Sequence, residues 1–176
     1  QIDRLAETAI REFGRIDTWV NNAGVAIYGR LNEVSEVDSR RLFDTNFWGV
    51  VNGSLAALPY LKMQGGALIN IGSEVSDAYV PILGMYSASK HAAIGLMRST
   101  AAEAEGTGVT ANAVCPAYVD TDMTRRTIDN VVARTGRTPG EAVAELEQMT
   151  PLGRLLQPDE VAAAVVYLAS PEAAAI

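Results

Sequence analysis

A chain of 176 residues with 48% hydrophobic and 20% charged residues has the composition of one globular domain, not of a disordered or fibrous protein. A formal net charge of −7 argues against a nucleic-acid partner, because sequence-independent affinity for a phosphate backbone is carried by clustered Lys and Arg. One cysteine excludes an internal disulfide framework or multi-cysteine metal site, and no apolar run approaches the ~18 residues that span a bilayer. The expectation is a cytoplasmic protein with no membrane partner, in which Cys115 is an inert buried thiol.

Ile2, Leu5, Ala6, Ala9, Ile10 and Phe13 recur at steps of three and four, the stripe of a helix with one buried face, which Gly14 ends. "IDTWVNNAG" follows, a short apolar run closing on Asn and Gly, and reads as a buried strand entering a turn. Residues 35–61 read as one long helix with an acidic first turn and Pro59 near its end. "GGALINIGS" and "GVTANAVCP" are two further buried strands, separated by a helix at 86–105, and Pro158, Asp159 and Glu160 open a closing helix at 158–169. Residues 122–157 are polar and broken by Gly and Pro, and read as a mobile flap with one short helix at Glu141 to Gln148. Strands alternating with helices of ten or more residues imply parallel pairing through right-handed crossovers. The fold class is α/β, a Rossmann-like doubly wound sheet in three α/β/α layers, forming a single domain.

In such a sheet ligands bind beyond the carboxyl ends of the strands. Three segments sit there: Asn21 to Gly24, Gly72 with Ser73, and Pro116 to Thr121. Tyr86 and Lys90 lie four apart on the helix after the second strand, so their side chains share a face. That spacing suits a surface helical pair worth a few tenths of a kcal/mol, and it equally suits acid/base chemistry. An ammonium beside a phenol favours the phenolate and lowers its ordinary pKa of about 10. Ser73 could donate to the same substrate oxygen or merely cap a turn. Asn46 reads as a buried amide or as part of a relay. Asn21 reads as structural, bonding backbone groups between strands. His91 reads as non-catalytic, Trp19 and Trp48 as core or interface, and Asp120 and Asp122 as groups that solvate or cap the start of the flap. No His, Cys and carboxylate grouping has metal-ligand spacing.

"NNAG" after a strand, Asn46 in "DTNFWG", a Ser thirteen residues before a Tyr, "YSASK", and "PAYVDT" after the next strand occur in order along nearly the whole chain. In these elements the sequence resembles the short-chain dehydrogenases/reductases, and in "NAVCPAYVDTDMTR" and "PLGRLLQPDEVAAAVVYLAS" the ketoacyl and polyketide ketoreductase branch. The resemblance implies an oxidoreductase that uses NAD or NADP to interconvert a small-molecule carbonyl and a secondary alcohol. It implies that Tyr86 is the proton donor or acceptor, that Lys90 holds the nicotinamide ribose and depresses the phenol's pKa, and that Ser73 polarises the carbonyl. Asn46 would fix a water in a proton relay. Asn22, Ala23 and Gly24 would lie along the cofactor, Pro116 beside it, and Val119 and Thr121 at its nicotinamide end.

Two departures accompany the resemblance. The family's Pro-Gly is Pro116-Ala117 here, which places a methyl where backbone approaches cofactor. The family's Gly-rich pyrophosphate turn is not among these residues, so the expectation is a catalytic portion of a longer protein, truncated at both ends of the sheet, with two to three strand-helix units ahead of it. The resemblance also implies a homo-oligomer, a dimer or tetramer, built from the helices at 35–61 and 86–105. The rival expectation is a non-catalytic dinucleotide-sensing or interaction module of the same fold.

Overall fold

The computed structural model describes residues 1–176. They form two compact units, one of Gln1–Cys115 with Val165–Ile176 and one of Pro116–Ala164.

The first unit is built on three parallel strands in the order β1 (Thr18–Asn21), β2 (Gly66–Ile71), β3 (Val109–Val114). Both crossovers step the same way, so right-handed connection places their helices on one face of the sheet. The first crossover is α2 (Glu36–Phe43), a π-helical turn (Asp44–Trp48) and α3 (Gly49–Leu61); the second is α4 (Gly84–Glu103). α1 (Ile2–Phe13) precedes β1 and packs against α3; Gly14, at φ 77°, ends it as its spacing predicts. Ala6, Ile16, Ala57, Leu61, Leu68 and Ala111 form the centre of the core between these helices and the sheet. On β3, Asn112 Nδ2 donates to the Ile176 carbonyl at 3.1 Å, which fastens the carboxyl-terminal segment to the strand.

The expected long helix at 35–61 is helical throughout but is not one α-helix. Gly49 N–H bonds the Asp44 carbonyl, an i→i+5 step that inserts one extra residue. Pro59 falls inside α3, where the helix continues only to Leu61. Ser35 caps α2, accepting a hydrogen bond from Asp38 N at 3.0 Å.

α3 approaches β1 closely through Gly53. A Cβ there would collide with Asn21 Oδ1 and lie 3.0 Å from Trp19 Nε1. Trp19 Nε1 donates to Asn21 Oδ1 at 2.9 Å, which turns the Asn21 amide nitrogen toward Asn70 Oδ1, 2.8 Å away. Asn21 is structural, as expected, but its partners are side chains; the backbone groups between β1 and β2 are consumed by the parallel ladder. Trp19 packs against the core, whereas Trp48 is 52% exposed. Cys115, just beyond β3, is exposed, contrary to the reading of its apolar run: the strand ends at Val114.

The second unit corrects the picture of a largely irregular flap. It contains α5 (Asp122–Thr135) and α6 (Pro139–Gln148), packed on each other, and the start of α7 (Pro158–Leu168). α5 is rich in Thr and Val, which weakens its helical signature, but its ends are specified by the Thr121 cap and by Gly136 in the left-handed region. Asp120 and Asp122 both pair with Arg125, at 3.3 and 2.6 Å. Thr138 and Glu141 form a capping box on α6. No helix in the chain is long and apolar enough to cross a membrane.

The approach at Gly53 makes a specific prediction. Gly53→Ala forces the Asn21 amide out of its bonds to Trp19 and Asn70 and costs about 2–4 kcal/mol in urea denaturation. An alanine variant as stable as wild type would show that α3 does not depend on this contact.

Candidate active site

The first unit gathers four of the residues singled out in the sequence. Ser73 follows β2 by two positions and begins a 3-10 turn (Glu74–Ser76). Its hydroxyl accepts from Val75 N at 3.4 Å while its own N–H donates to Ser76 Oγ at 3.0 Å, a reciprocal pair that fixes the turn. Ser73 therefore does cap, and its hydroxyl also acts on the Tyr86 phenol of α4, pulling the phenol's pKa down. The segment between Ser73 and Tyr86 is pinned where Gly29 N donates to the Ile82 carbonyl at 2.8 Å. Ile82 holds a φ of 66°, an unfavourable value for a β-branched residue.

Lys90 lies one turn beyond Tyr86 and is only 5% exposed. Its Nζ donates to the Ile71 carbonyl at the end of β2, 2.8 Å away, and stands 5.8 Å from the Tyr86 ring centroid. Burial pulls the ammonium down to about 8, with Cys115 opposing the shift. Burial pushes the Tyr86 phenol above 10.0; the Ser73 hydrogen bond works against that, and Tyr28 and Glu74 add to it. The expected depression of the phenol by Lys90 is absent. The ammonium is directed at a carbonyl instead of the phenol oxygen, and desolvation of the ring dominates.

Asn46 occupies the centre of the π turn and is 1% exposed. Its Oδ1 accepts from Val25 N at 2.9 Å, and its Nδ2 donates to the Val25 carbonyl at 2.9 Å and to Ser89 Oγ at 3.0 Å. Since the backbone N–H can only donate and the carbonyl only accept, the amide orientation is fixed. Both amide protons are engaged, so the side chain ties the segment after β1 to α4 and has no donor left for a water. Ser89, fully buried, passes the tie on by donating to the Tyr86 carbonyl at 2.7 Å. Ser89 is absent from the candidates read in the sequence. One small polar residue within "YSASK" carries no periodic signal, and its place next to Lys90 is the one hint of its role.

Asn22 and Ala23 are exposed beyond β1, and Gly24 lies against the pair of Lys90 and Asn46. A Cβ at Gly24 would lie 3.6 Å from Lys90 Nζ and 3.7 Å from Asn46 Oδ1, so the backbone there runs past the ammonium. His91 points back along its own helix, its Nδ1 donating to the Ser87 carbonyl at 2.9 Å. Pro116, Val119 and Thr121 belong to the second unit. There Val119 bridges to Leu156, and Thr121 Oγ1 accepts from Thr124 N at 3.4 Å as the cap of α5.

A family model described as "Enoyl-(Acyl carrier protein) reductase" matches residues 1–176. Among curated relatives, an uncharacterized oxidoreductase of Methylorubrum extorquens is 38% identical over 169 residues, covering 96% of this chain and 64% of its own length. A 3-oxoacyl-[acyl-carrier-protein] reductase of Vibrio cholerae is 36% identical over 176 residues, covering 99% of this chain and 68% of its own. Among solved structures, an F189W actinorhodin polyketide ketoreductase with NADPH superimposes with a TM-score of 0.93 at 32% identity, covering 99% of this chain and 68% of that one. The chain thus spans about two thirds of the length of these relatives. Their agreement over its whole extent, together with the Ser73, Tyr86 and Lys90 arrangement, makes the chain a member of the short-chain dehydrogenase/reductase family.

Proposed function

We propose that this chain is the catalytic portion of an NAD(P)(H)-dependent oxidoreductase that interconverts a ketone and a secondary alcohol, with Tyr86 as general acid/base. The observation that carries the reading is the Ser73 hydroxyl just beyond the end of β2, acting on the Tyr86 phenol, with a buried ammonium one helical turn away. A binding-only protein has no use for this pairing of hydroxyl groups. The relatives named as 3-oxoacyl and polyketide ketoreductases point to the same chemistry.

The residues fit a dinucleotide. The Lys90 ammonium has one protein acceptor for its three protons, and the Gly24 backbone passes it without a side chain, leaving room and donors for ribose hydroxyls. Asn22, Ala23 and Gly24 would lie along the cofactor, and Pro116, Val119 and Thr121 are assigned to it by their place in the family's pattern. The bound cofactor supplies the hydride. The protein's own residues handle the proton and the geometry. Ser73 donates to the carbonyl oxygen and holds it beside the phenol. Tyr86 gives its proton to the oxygen as negative charge develops there, and burial keeps the phenol protonated and ready to do so. Lys90 offers its remaining ammonium protons to the nicotinamide ribose. Asn46 and Ser89 hold the first turns of α4 in place.

The exposed apolar side chains of Trp48 and Leu55, and a groove that Trp48 lines with Arg40, Phe43 and Met85, support a homo-oligomer built from the helices at 35–61 and 86–105.

Three measurements test this reading on the full-length protein. Tyr86→Phe should lower turnover by about 10²–10⁴-fold while leaving dinucleotide affinity nearly intact. Retained turnover would refute the mechanism, and dinucleotide binding with no ketone reduced by wild type would favour the non-catalytic module. Lys90 is charged below about 8 and neutral above it, so kcat/KM for reduction should decline through that pH; a profile flat to about pH 10 would remove Lys90 from the mechanism. Trp48→Glu should lower the mass seen in sedimentation equilibrium, and an unchanged mass would move the interface elsewhere.

A further inference from the structure

We infer that Ile82 is a positioning residue for the proton transfer, acting through its backbone: a strained left-handed bend at Ile82, fastened by Gly29, holds the start of α4 and with it Tyr86. This role rests on the oxidoreductase reading and deepens it. Ile82 is the one non-glycine residue of the chain with a positive φ, at 66°. Its branched Cβ makes that conformation costly, and a costly conformation persists only where the surrounding structure imposes it. The bend falls four residues before Tyr86.

α4 is weakly specified at its own start. Leu83 occupies the N-cap position and gives the first turn no side-chain hydrogen bond, and the first helical residue is Gly84. A helix opened by glycine without a capping side chain frays readily. Tyr86 is the third residue of that helix, so its position depends on whatever holds the first turn. The bend at Ile82 supplies this by setting Leu83 into the core, where it is buried and its N–H bonds the Val80 carbonyl at 3.2 Å. Ser87 N then donates to the Leu83 carbonyl at 2.8 Å and closes the turn around Tyr86.

What offsets the strain is the bond from Gly29 N to the Ile82 carbonyl, at 2.8 Å, and the donor is itself held in place. On one side of Gly29, Val25 is tied through both its N–H and its carbonyl to Asn46. On the other, Arg30 N donates to Glu33 Oε2 at 2.8 Å and Glu33 N to the Arg30 carbonyl at 2.9 Å, a self-closed turn. The packing at Gly29 is tight, since a Cβ there would lie 2.9 Å from Val34 Cγ2. Asn46 also binds Ser89, which binds the Tyr86 carbonyl. The start of α4 is thus tied on both sides of Tyr86, at Ile82 and at Ser89, and both ties lead back to the segment after β1.

The test uses the full-length enzyme, its dinucleotide and ethyl acetoacetate as the ketone. Ile82→Pro, whose ring fixes a negative φ, should lower kcat by about 10–100-fold while dinucleotide Kd changes less than about twofold. The Tyr86 and Ser87 amides of that variant should exchange their hydrogens about tenfold faster than in wild type. Ile82→Asn, which accepts a positive φ, should turn over at least about tenfold faster than Ile82→Pro. Gly29→Pro deletes the donated N–H and should lower kcat about tenfold; adding Ile82→Asn should restore it about threefold or more, because asparagine takes the bend with less support. If Ile82→Pro does not fold, Gly29→Pro and its rescue decide the matter. Wild-type kcat in Ile82→Pro, an Ile82→Asn variant as slow as Ile82→Pro, or a Gly29→Pro loss without rescue would overturn the role and leave the oxidoreductase reading intact. Dinucleotide affinity lost in step with kcat would also overturn it, since the bend would then support the fold at large. A wild type that binds dinucleotide and reduces no ketone would overturn both readings.

Discussion

The hydrogen bond from the Lys90 ammonium to the Ile71 carbonyl joins the fold to its chemistry. Burial pulls the ammonium down to about 8, and the carbonyl at 2.8 Å gives the buried charge a hydrogen-bond acceptor inside the fold. The acceptor belongs to the last residue of β2, and Ser73 follows two positions later on the same chain. The bond therefore sets α4 against the strand end at one register, and with it the separation between Ser73 and Tyr86. Parallel pairing with β1 and β3 holds that strand end from both sides, so the geometry of the site is inherited from the sheet.

The π turn performs the matching task for the first crossover. Its extra residue turns Asn46 inward between Val25 and Ser89, while Trp48, two residues on, faces outward. In an unbroken α-helix from 35 to 61 the residues before and after this point would keep a single register, and one of the two faces would be misplaced. Bulges of this kind recur at functional sites because they allow an inward-facing polar group without moving the helix. Here the inward group connects three segments, and Ser89 carries the connection to the backbone of Tyr86 itself.

Much of this is legible in the sequence, and the reasons differ by element. The three strands are short apolar runs between Gly and Asn, and all three occur at the positions their pattern predicts. α1 is legible to its last residue because its apolar stripe and Gly14 agree. The Ser73, Tyr86 and Lys90 positions follow from a strand end and a one-turn spacing, both local features. The π turn leaves no trace, because an i→i+5 bond selects no residue type. α5 is hidden because Thr, Val and Asn weaken the helical pattern, although Thr121 and Gly136 mark its ends. Cys115 escapes because the apolar character of its run continues one residue past the end of the strand.

The Tyr86 shift turns on direction and not on distance along the chain. Residue spacing places an ammonium near a phenol, and the familiar consequence is a lowered pKa. That consequence requires the ammonium to face the oxygen that would carry the negative charge. In this fold the ammonium already has a carbonyl to satisfy, the ring is half-buried on α4, and the half-buried carboxylate of Glu74 adds negative potential. Desolvation then outweighs attraction, and the phenol stays protonated. A protonated phenol beside a serine hydroxyl is the state that donates to a carbonyl oxygen, so the same burial that defeats the simple expectation prepares the group for its first step in reduction.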